Sequence, residues 1–428
     1  MTPVSRDQSP WRLRPFRTLF AATALSHAGS NIGYVAVPLL AVLALDAGPG
    51  QVGALAALST AAFLLIGLPA GAWVDRLPGR RVLVAADAAR ALLLASIPVA
   101  WWLDVLSLPQ LYAVVLLNGC ATVFFDVGSQ TVLPELVGRE RLVPANAAVV
   151  GLMAGANIAG RGAGGLLVQA LSAPLALAGA ALAYLASALG LTGLGPLRRS
   201  APAAGTRRLR TEIAEGLRHV FAARELRALA ITAALSNLGA QMINAMLPVL
   251  FTRELGLPAG ALGAYWAAGG AGILLGATCA RRLAQHLGHG RTLGLAGLCL
   301  APAGLAVGLV GDGPWVWVAG AGWLLATTKM GIDNVLGVTL RQHLTPDALL
   351  GRMNATFRFV LTGALAVGSA LAGLVGELAG VRVAVWAGAL CLSLAFLPVF
   401  LSPLRKLCEL PRTPVAGASG GNGRLGIG

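Results

Sequence analysis

The chain has 428 residues, of which 57% are apolar and only 11% charged, with a mean hydropathy of +0.76. Soluble domains carry about 25% charged residues, so a water-soluble globular fold is excluded. The net charge of +15 invites a nucleic-acid reading, but the basic residues gather in short connectors between apolar runs, where they are a topology signal instead.

The apolar runs are about 20 to 25 residues long, enough to cross ~30 Å of hydrocarbon at ~1.5 Å per residue. Twelve spans are predicted, at 18–45, 51–74, 81–103, 108–131, 144–169, 174–196, 227–251, 259–281, 292–311, 314–339, 352–376 and 381–402. Segment 1–17 holds Trp11, Arg12, Arg14 and Arg17 without an apolar core or cleavage-like site, so the first span is expected to be its own insertion signal. Between spans 2 and 3 lies GAWVDRLPGRR, Gly71–Arg81, with Asp75, Arg76, Gly79, Arg80 and Arg81. A worn copy ends the eighth span, keeping Gly276, Arg281 and Arg282 but placing Ala280 where the first copy has Asp75.

The halves align further. LVGRERLVPANAA around Asn146 matches LTPDALLGRMNAT around Asn354, an offset of 208 residues that also sets Gly160, Gly164 and Gly165 near Gly368, Ala372 and Gly373. Two six-span units, 18–196 and 227–402, are therefore predicted, joined by a linker at 197–226. In that linker Leu209, Ile213, Leu217, Val220 and Phe221 recur at three- and four-residue steps. This predicts an amphipathic helix over 208–226 on the membrane surface, a tether touching anionic lipid or a regulatory binding helix. The tail, 403–428, is Gly-rich after Arg412 and expected to be disordered.

Assigning connectors alternately to two sides puts Arg6, Arg76, Arg80, Arg81, Arg139, Arg141, Arg207, Arg208, Arg281, Arg282, Arg341, Arg352 and Lys406 together. The other side has Arg253 and Arg382 against Asp46, Asp104, Glu254, Asp312 and Glu377. Positive connectors stay cytoplasmic, so both termini are expected in the cytosol and the chain in the plasma (inner) membrane. Cys120, Cys279, Cys299, Cys391 and Cys408 show no CxxC spacing, and no Walker loop or zinc-protease spacing occurs. His286 and His289 lack companions. No metal site or cofactor is expected.

This set of motifs resembles the major facilitator superfamily, closest to its drug:proton antiporter branch of macrolide-type efflux proteins and enterobactin exporters. Further stretches that fit the branch are DAAR with Asp87 and Arg90, LPELVG at Leu133–Gly138, and SPLRKL at Ser402–Leu407. The resemblance implies an all-α membrane protein, with twelve transmembrane helices in two pseudo-symmetric six-helix bundles around a central cavity. It also implies that Gly71, Asp75, Arg76, Gly79, Arg80 and Arg81 form a gate. Asp75 would accept from amides at the positive N-terminus of span 11, near Gly351 and Arg352; a plain orientation signal is the other reading. GRGAGG at Gly160–Gly165 resembles the antiporter motif GPxxGG, with Arg161 replacing its proline. That removes a kink device and sets a charge in the bilayer, at a cost of at least ~2.5–3.5 kcal/mol if unpaired. Arg161 is therefore expected to face water or an acid, as substrate anchor or structural ion pair.

Spans 1, 4, 7 and 10 line the cavity in this fold. Cavity candidates are Asn31, Tyr34, Asn118, Arg161, Lys329 and the stripe Asn237, Gln241, Asn244, which shares one face of span 7; bridging between helices is the competing reading. Proton-coupling candidates are Asp126, then Asp333. Asp126 could instead be locked to Arg76, Arg80 or Arg90, and Asp333 lies one turn after Lys329, at salt-bridge spacing. The function expected is proton-coupled export of a lipophilic small molecule by a monomer in the lipid bilayer. The alternative is transport of a siderophore or anionic metabolite. A membrane-embedded enzyme or sensor is disfavoured, because no nucleophile–base cluster occurs.

Overall fold

A computed structural model describes residues 9–74, 76–195, 209–346 and 349–406. With no water to bond peptide groups in hydrocarbon, each crossing segment satisfies its own backbone as a helix. The first six are α1 (Arg14–Ala44), α2 (Pro49–Val74), α3 (Gly79–Trp102), α4 (Leu108–Gly138), α5 (Glu140–Leu171) and α6 (Ala173–Thr192). A linking helix, α7 (Leu209–Ala222), follows. The second six are α8 (Arg224–Val249, extended by a wider turn over Leu250–Glu254), α9 (Ala259–Leu287), α10 (His289–Gly308), α11 (Trp315–His343), α12 (Leu350–Ala379) and α13 (Val381–Leu394, resuming at Leu397–Phe400). Among the described residues no strand occurs. Eleven of these helices are long and apolar enough to cross a membrane; α11, 29 residues long, is the twelfth by length and position.

Several helices outrun their predicted spans. α4 continues to Gly138, α9 to Leu287 and α11 to His343. Hydropathy marks only the part inside hydrocarbon, whereas helical hydrogen bonding carries on into the basic connectors. α4 and α5 meet at Gly138, whose φ of 73° breaks an otherwise continuous helix from Leu108 to Leu171. α8 starts at Arg224, three residues ahead of the predicted 227, because Ala223 is extended (φ −77°, ψ 123°) and ends the linker helix early.

The linker helix departs from expectation in what it touches. α7 lies on the end of α12, where Glu215 pairs with Arg352. A Cβ at Gly216 would stand 2.6 Å from Thr356 Oγ1, and Val220 is fully buried. Its packed face thus meets protein rather than lipid. The linker before Leu209 and the tail after Lys406 lie outside the described residues.

The two halves touch through α2 against α12 and α5 against α9. Both contacts are made where backbones meet. A Cβ at Gly53 would sit 2.7 Å from Gly373 N, and one at Gly165 would sit 2.8 Å from Gly263 Cα. The pairs are related by the internal repeat, as are Gly160 against Asn31 of α1 and Gly368 against Leu238 of α8. Small residues allow this approach, and van der Waals packing holds it.

Candidate transport site

A cavity of about 320 Å³ lies between the halves, walled by α1, α2, α4, α8 and single residues of α3, α6 and α9. Four rings face it, Tyr34, Phe63, Tyr184 and Trp266, with Asp126, Asn118, Thr122, Gln241 and Asn244 as its main polar groups. The size falls within the range of about 300–1,000 Å³ for small-molecule sites.

The cavity is shut on the face opposite the arginine-rich connectors. There Gly53 meets Gly373 and Gly165 meets Gly263. Gly50 N donates to Glu377 Oε2 at 3.0 Å, Gly260 N donates to Gln169 Oε1 at 3.1 Å, and Arg253 of α8 pairs with Asp46 after α1. Towards the basic face the same helices part. Among the described residues, a Cβ at Gly71 (α2), Gly151 or Gly155 (α5), or Gly351 (α12) would meet nothing within 4 Å.

Charges around the cavity are held in distinct ways. Arg90 is buried with both terminal nitrogens engaged: Nη1 donates to Asp87 Oδ1 (2.9 Å) and Ser26 Oγ (2.8 Å), and Nη2 donates to Ser30 Oγ (2.5 Å) and Tyr184 OH (2.6 Å), while Nε has no hydrogen-bond partner among the described residues. This network ties α1, α3 and α6 together. Asp126 makes no ion pair among the described residues; the charges that act on it are Arg90, Arg358 and Asp87. Arg80 and Arg76, its other expected partners, are not paired with it either. Arg358 stacks on Phe63 at 4.2 Å instead.

Arg161 is half-buried, pairs with no acid among the described residues and does not stand in the cavity wall: its guanidinium lies 4.3 Å from the centre of the Tyr34 ring, and Nε is buried without a hydrogen-bond partner among the described residues. The electron-rich ring face substitutes for a counter-ion. Tyr34 in turn meets Trp266 edge-on at 5.0 Å, and Trp266 Nε1 donates to Asn244 Oδ1 at 2.8 Å.

The other candidates divide. Tyr34, Asn118, Gln241 and Asn244 stand in the cavity wall. Gln241 and Asn244 also bridge helices, Gln241 Nε2 donating to Ser369 Oγ at 3.0 Å. Asn31 does not reach the wall; it packs under Gly160 and donates to the carbonyl of His27 at 2.8 Å. Lys329, Asp333 and Asn237 line a separate, smaller pocket inside the second half, where Lys329 and Asp333 form the expected ion pair. Asp75 lies outside the described residues; Arg76 and Arg81 are exposed, and Gly79 and Arg80 half-buried. Gly276 packs on the Thr328 carbonyl of α11, while Arg281 and Arg282 are exposed.

Sequence reasoning passed over Phe63, Tyr184, Trp266 and Gln169, and counted Glu377 only among the acids of the less basic side. An aromatic residue in an apolar run gives no sign of which way it points. The repeat offset did carry a signal for Gln169 and Glu377, which it superimposes.

Comparison with known proteins agrees with this architecture. The family model described as a transmembrane secretion effector matches residues 5–417. The enterobactin exporter EntS of Escherichia coli O127:H6 (strain E2348/69 / EPEC) is 29% identical over 287 residues, covering 64% of this chain; the match spans just 65% of the exporter's own length. Among solved structures, the nucleoside transporter NupG superposes with a TM-score of 0.73 at 13% identity, over 91% of this chain and 99% of that one. A bacterial homologue of the iron transporter ferroportin, in an inward-facing state, gives 0.70 at 19% identity, over 90% and 98%. At these identities the structures speak for the fold alone.

Proposed function

The chain belongs to the transmembrane secretion effector family of the major facilitator superfamily, membrane transporters and not enzymes, and from that premise we propose that it exports a lipophilic, ring-bearing small molecule in exchange for protons. The observation that carries this reading is the cavity with four rings and, in its wall, an acid that makes no ion pair among the described residues. Rings stack on rings and apolar burial contributes about 25 cal/mol per Å², while Asp126, in that confined space, attracts a positive group or a proton. The similarity to an exporter supports the outward direction.

Positive connectors are retained in the cytosol. The basic face is accordingly cytoplasmic, with both termini there, and the cavity loads from the inside as a monomer embedded in the inner membrane. Asp75 and the arginines of its loop then act when that side closes, by bringing α2 onto the start of α12. The open space beside Gly71 and Gly351, where a Cβ would meet nothing within 4 Å, leaves room for that movement.

The test is ethidium efflux from a bacterial host stripped of its own exporters. Expression of the chain should lower cell-associated ethidium, and Asp126→Asn should abolish the effect with the protein still in the membrane. Undiminished efflux after an uncoupler collapses the proton gradient would remove proton exchange from the proposal.

A second reading, export of a siderophore, is favoured by the relative's name. Arg161 would serve it through the back of Tyr34 rather than by direct contact, since it is absent from the cavity wall. Siderophore accumulation in the medium of a complemented exporter-deficient strain decides between the two.

A further inference from the structure

The second half contains a chamber separate from the export cavity. It has a volume of about 50 Å³ and is lined by α8, α10, α11, α12 and α13. On α11, Lys329 is only 7% exposed and is paired with Asp333 one turn later. The α8 wall presents Thr232 and Ser236, 5% and 4% exposed, whose hydroxyls have no hydrogen-bond partner among the described residues.

Those two hydroxyls behave unlike their neighbours. Thr327 and Thr328, just before Lys329, donate to carbonyls three or four residues back, as do Thr122 and Ser369. This is the local bond that a helical hydroxyl makes by default. Thr232 and Ser236 forgo it and line the chamber. A buried hydroxyl is satisfied by protein or by water, and at roughly 15 Å³ per water the space holds about three.

We propose that this chamber is the proton-coupling site: Asp333 takes up the proton, water held by Thr232 and Ser236 conveys it, and Lys329 is the counter-charge set free. The proposal rests on the exporter reading above and deepens it. A proton from external water binds a carboxylate oxygen of Asp333, turning the ion pair into a neutral acid beside an ammonium. The same proton later leaves Asp333 for water at the basic face, and no electrons move. Besides Lys329, the charged group in the wall is Arg341, also on α11; the lining residues from the other helices carry no titratable group.

The consequence can reach the interface between halves. Phe357 of α12, 2% exposed, closes one side of the chamber. The next residue, Arg358, stacks on Phe63 in the wall of the export cavity. A hydrated, unpaired Lys329 needs more room, and the element that yields is the one that meets α2. Asp126 then serves the cargo and Asp333 the proton, one in each half.

The experiment is infrared difference titration of the purified full chain in liposomes of phosphatidylethanolamine and phosphatidylglycerol. Acidification should raise a carboxylic-acid carbonyl band that disappears in Asp333→Asn and persists in Asp126→Asn. In Thr232→Val/Ser236→Ala, which keeps the ion pair, deuterium should exchange into that band at least about tenfold more slowly. A band untouched by Asp333→Asn, or exchange at the native rate in the double variant, overturns the proposal. If Asp333→Asn alone does not fold, Lys329→Met/Asp333→Asn leaves no unpaired charge and is read the same way. No cargo is needed, so a protein that exports nothing would refute the exporter reading while the band still reports on Asp333.

Discussion

Gln169 on α5 and Glu377 on α12 hold equivalent places in the two halves, and each caps the first turn of a helix in the opposite half. Gln169 receives the amide of Gly260 at the start of α9, and Glu377 that of Gly50 at the start of α2. The first turn of a helix has free N–H groups and a positive end. A carboxylate satisfies both features, whereas an amide oxygen satisfies one, so the two latches are matched in shape and unequal in strength.

Glu377→Gln should equalise them. The lost charge is worth about 0.3–1 kcal/mol at a helix terminus, or roughly a two- to five-fold shift towards opening of the closed face. The alkylation rate of a cysteine placed at Ala56, in the cavity wall, measures this from that side. A rate equal to that of the native latch would show that the cap does not hold the face shut.

The glycine contacts set a second expectation. Gly53→Val and Gly165→Val each force a side chain into facing backbone, and overpacking of this kind costs typically about 1–3 kcal/mol. Both variants should favour the separated arrangement in the same alkylation assay. Gly71→Ala, which meets nothing within 4 Å, should leave thermal stability within about 0.5 kcal/mol of native.

Arg90 supports a third. Arg90→Ala strands Asp87, which is fully buried, and breaking such a pair costs about 3–5 kcal/mol. Arg90→Lys cannot reproduce the forked geometry that serves four oxygens on three helices, and it should recover only part of the loss. Tyr184→Phe removes one acceptor and should cost about 1–3 kcal/mol. Gel filtration after graded heating ranks the three.

Asp46 and Arg253 give the contrasting case. Asp46 is 97% exposed, and a pair of this kind contributes little in water. Asp46→Asn should change transport by less than about two-fold, with no salt dependence beyond that of the native protein. A large loss would mean that this pair, and not the backbone contacts, seals the face.

The helices and their order were legible because bilayer thickness leaves a periodic record in hydropathy, and the duplicated halves because their motifs recur at a fixed offset. Lys329 and Asp333 were legible as a pair because one helical turn fixes their separation before any tertiary contact forms. Asn237 and Asn244 share a helix face, yet line different pockets, since what lies opposite changes with depth along α8. Arg161 was legible as a charge in need of a partner, but not which partner it would take. Its partner is the face of a ring on α1, and counting charges finds counter-ions but not π-systems. The Gly50–Glu377 bond joins residues 327 apart in the chain, and only the packed halves bring them together.

One torsion has a large geometric effect. Between Leu108 and Leu171 the polypeptide would form a single rod of 64 residues, ~96 Å at helical rise and about three bilayers deep. Gly138, with φ 73° and ψ 166°, occupies a region that is essentially closed to residues bearing a β-carbon. A hydrogen atom in place of a side chain is therefore what sends the polypeptide back into the membrane for its fifth passage.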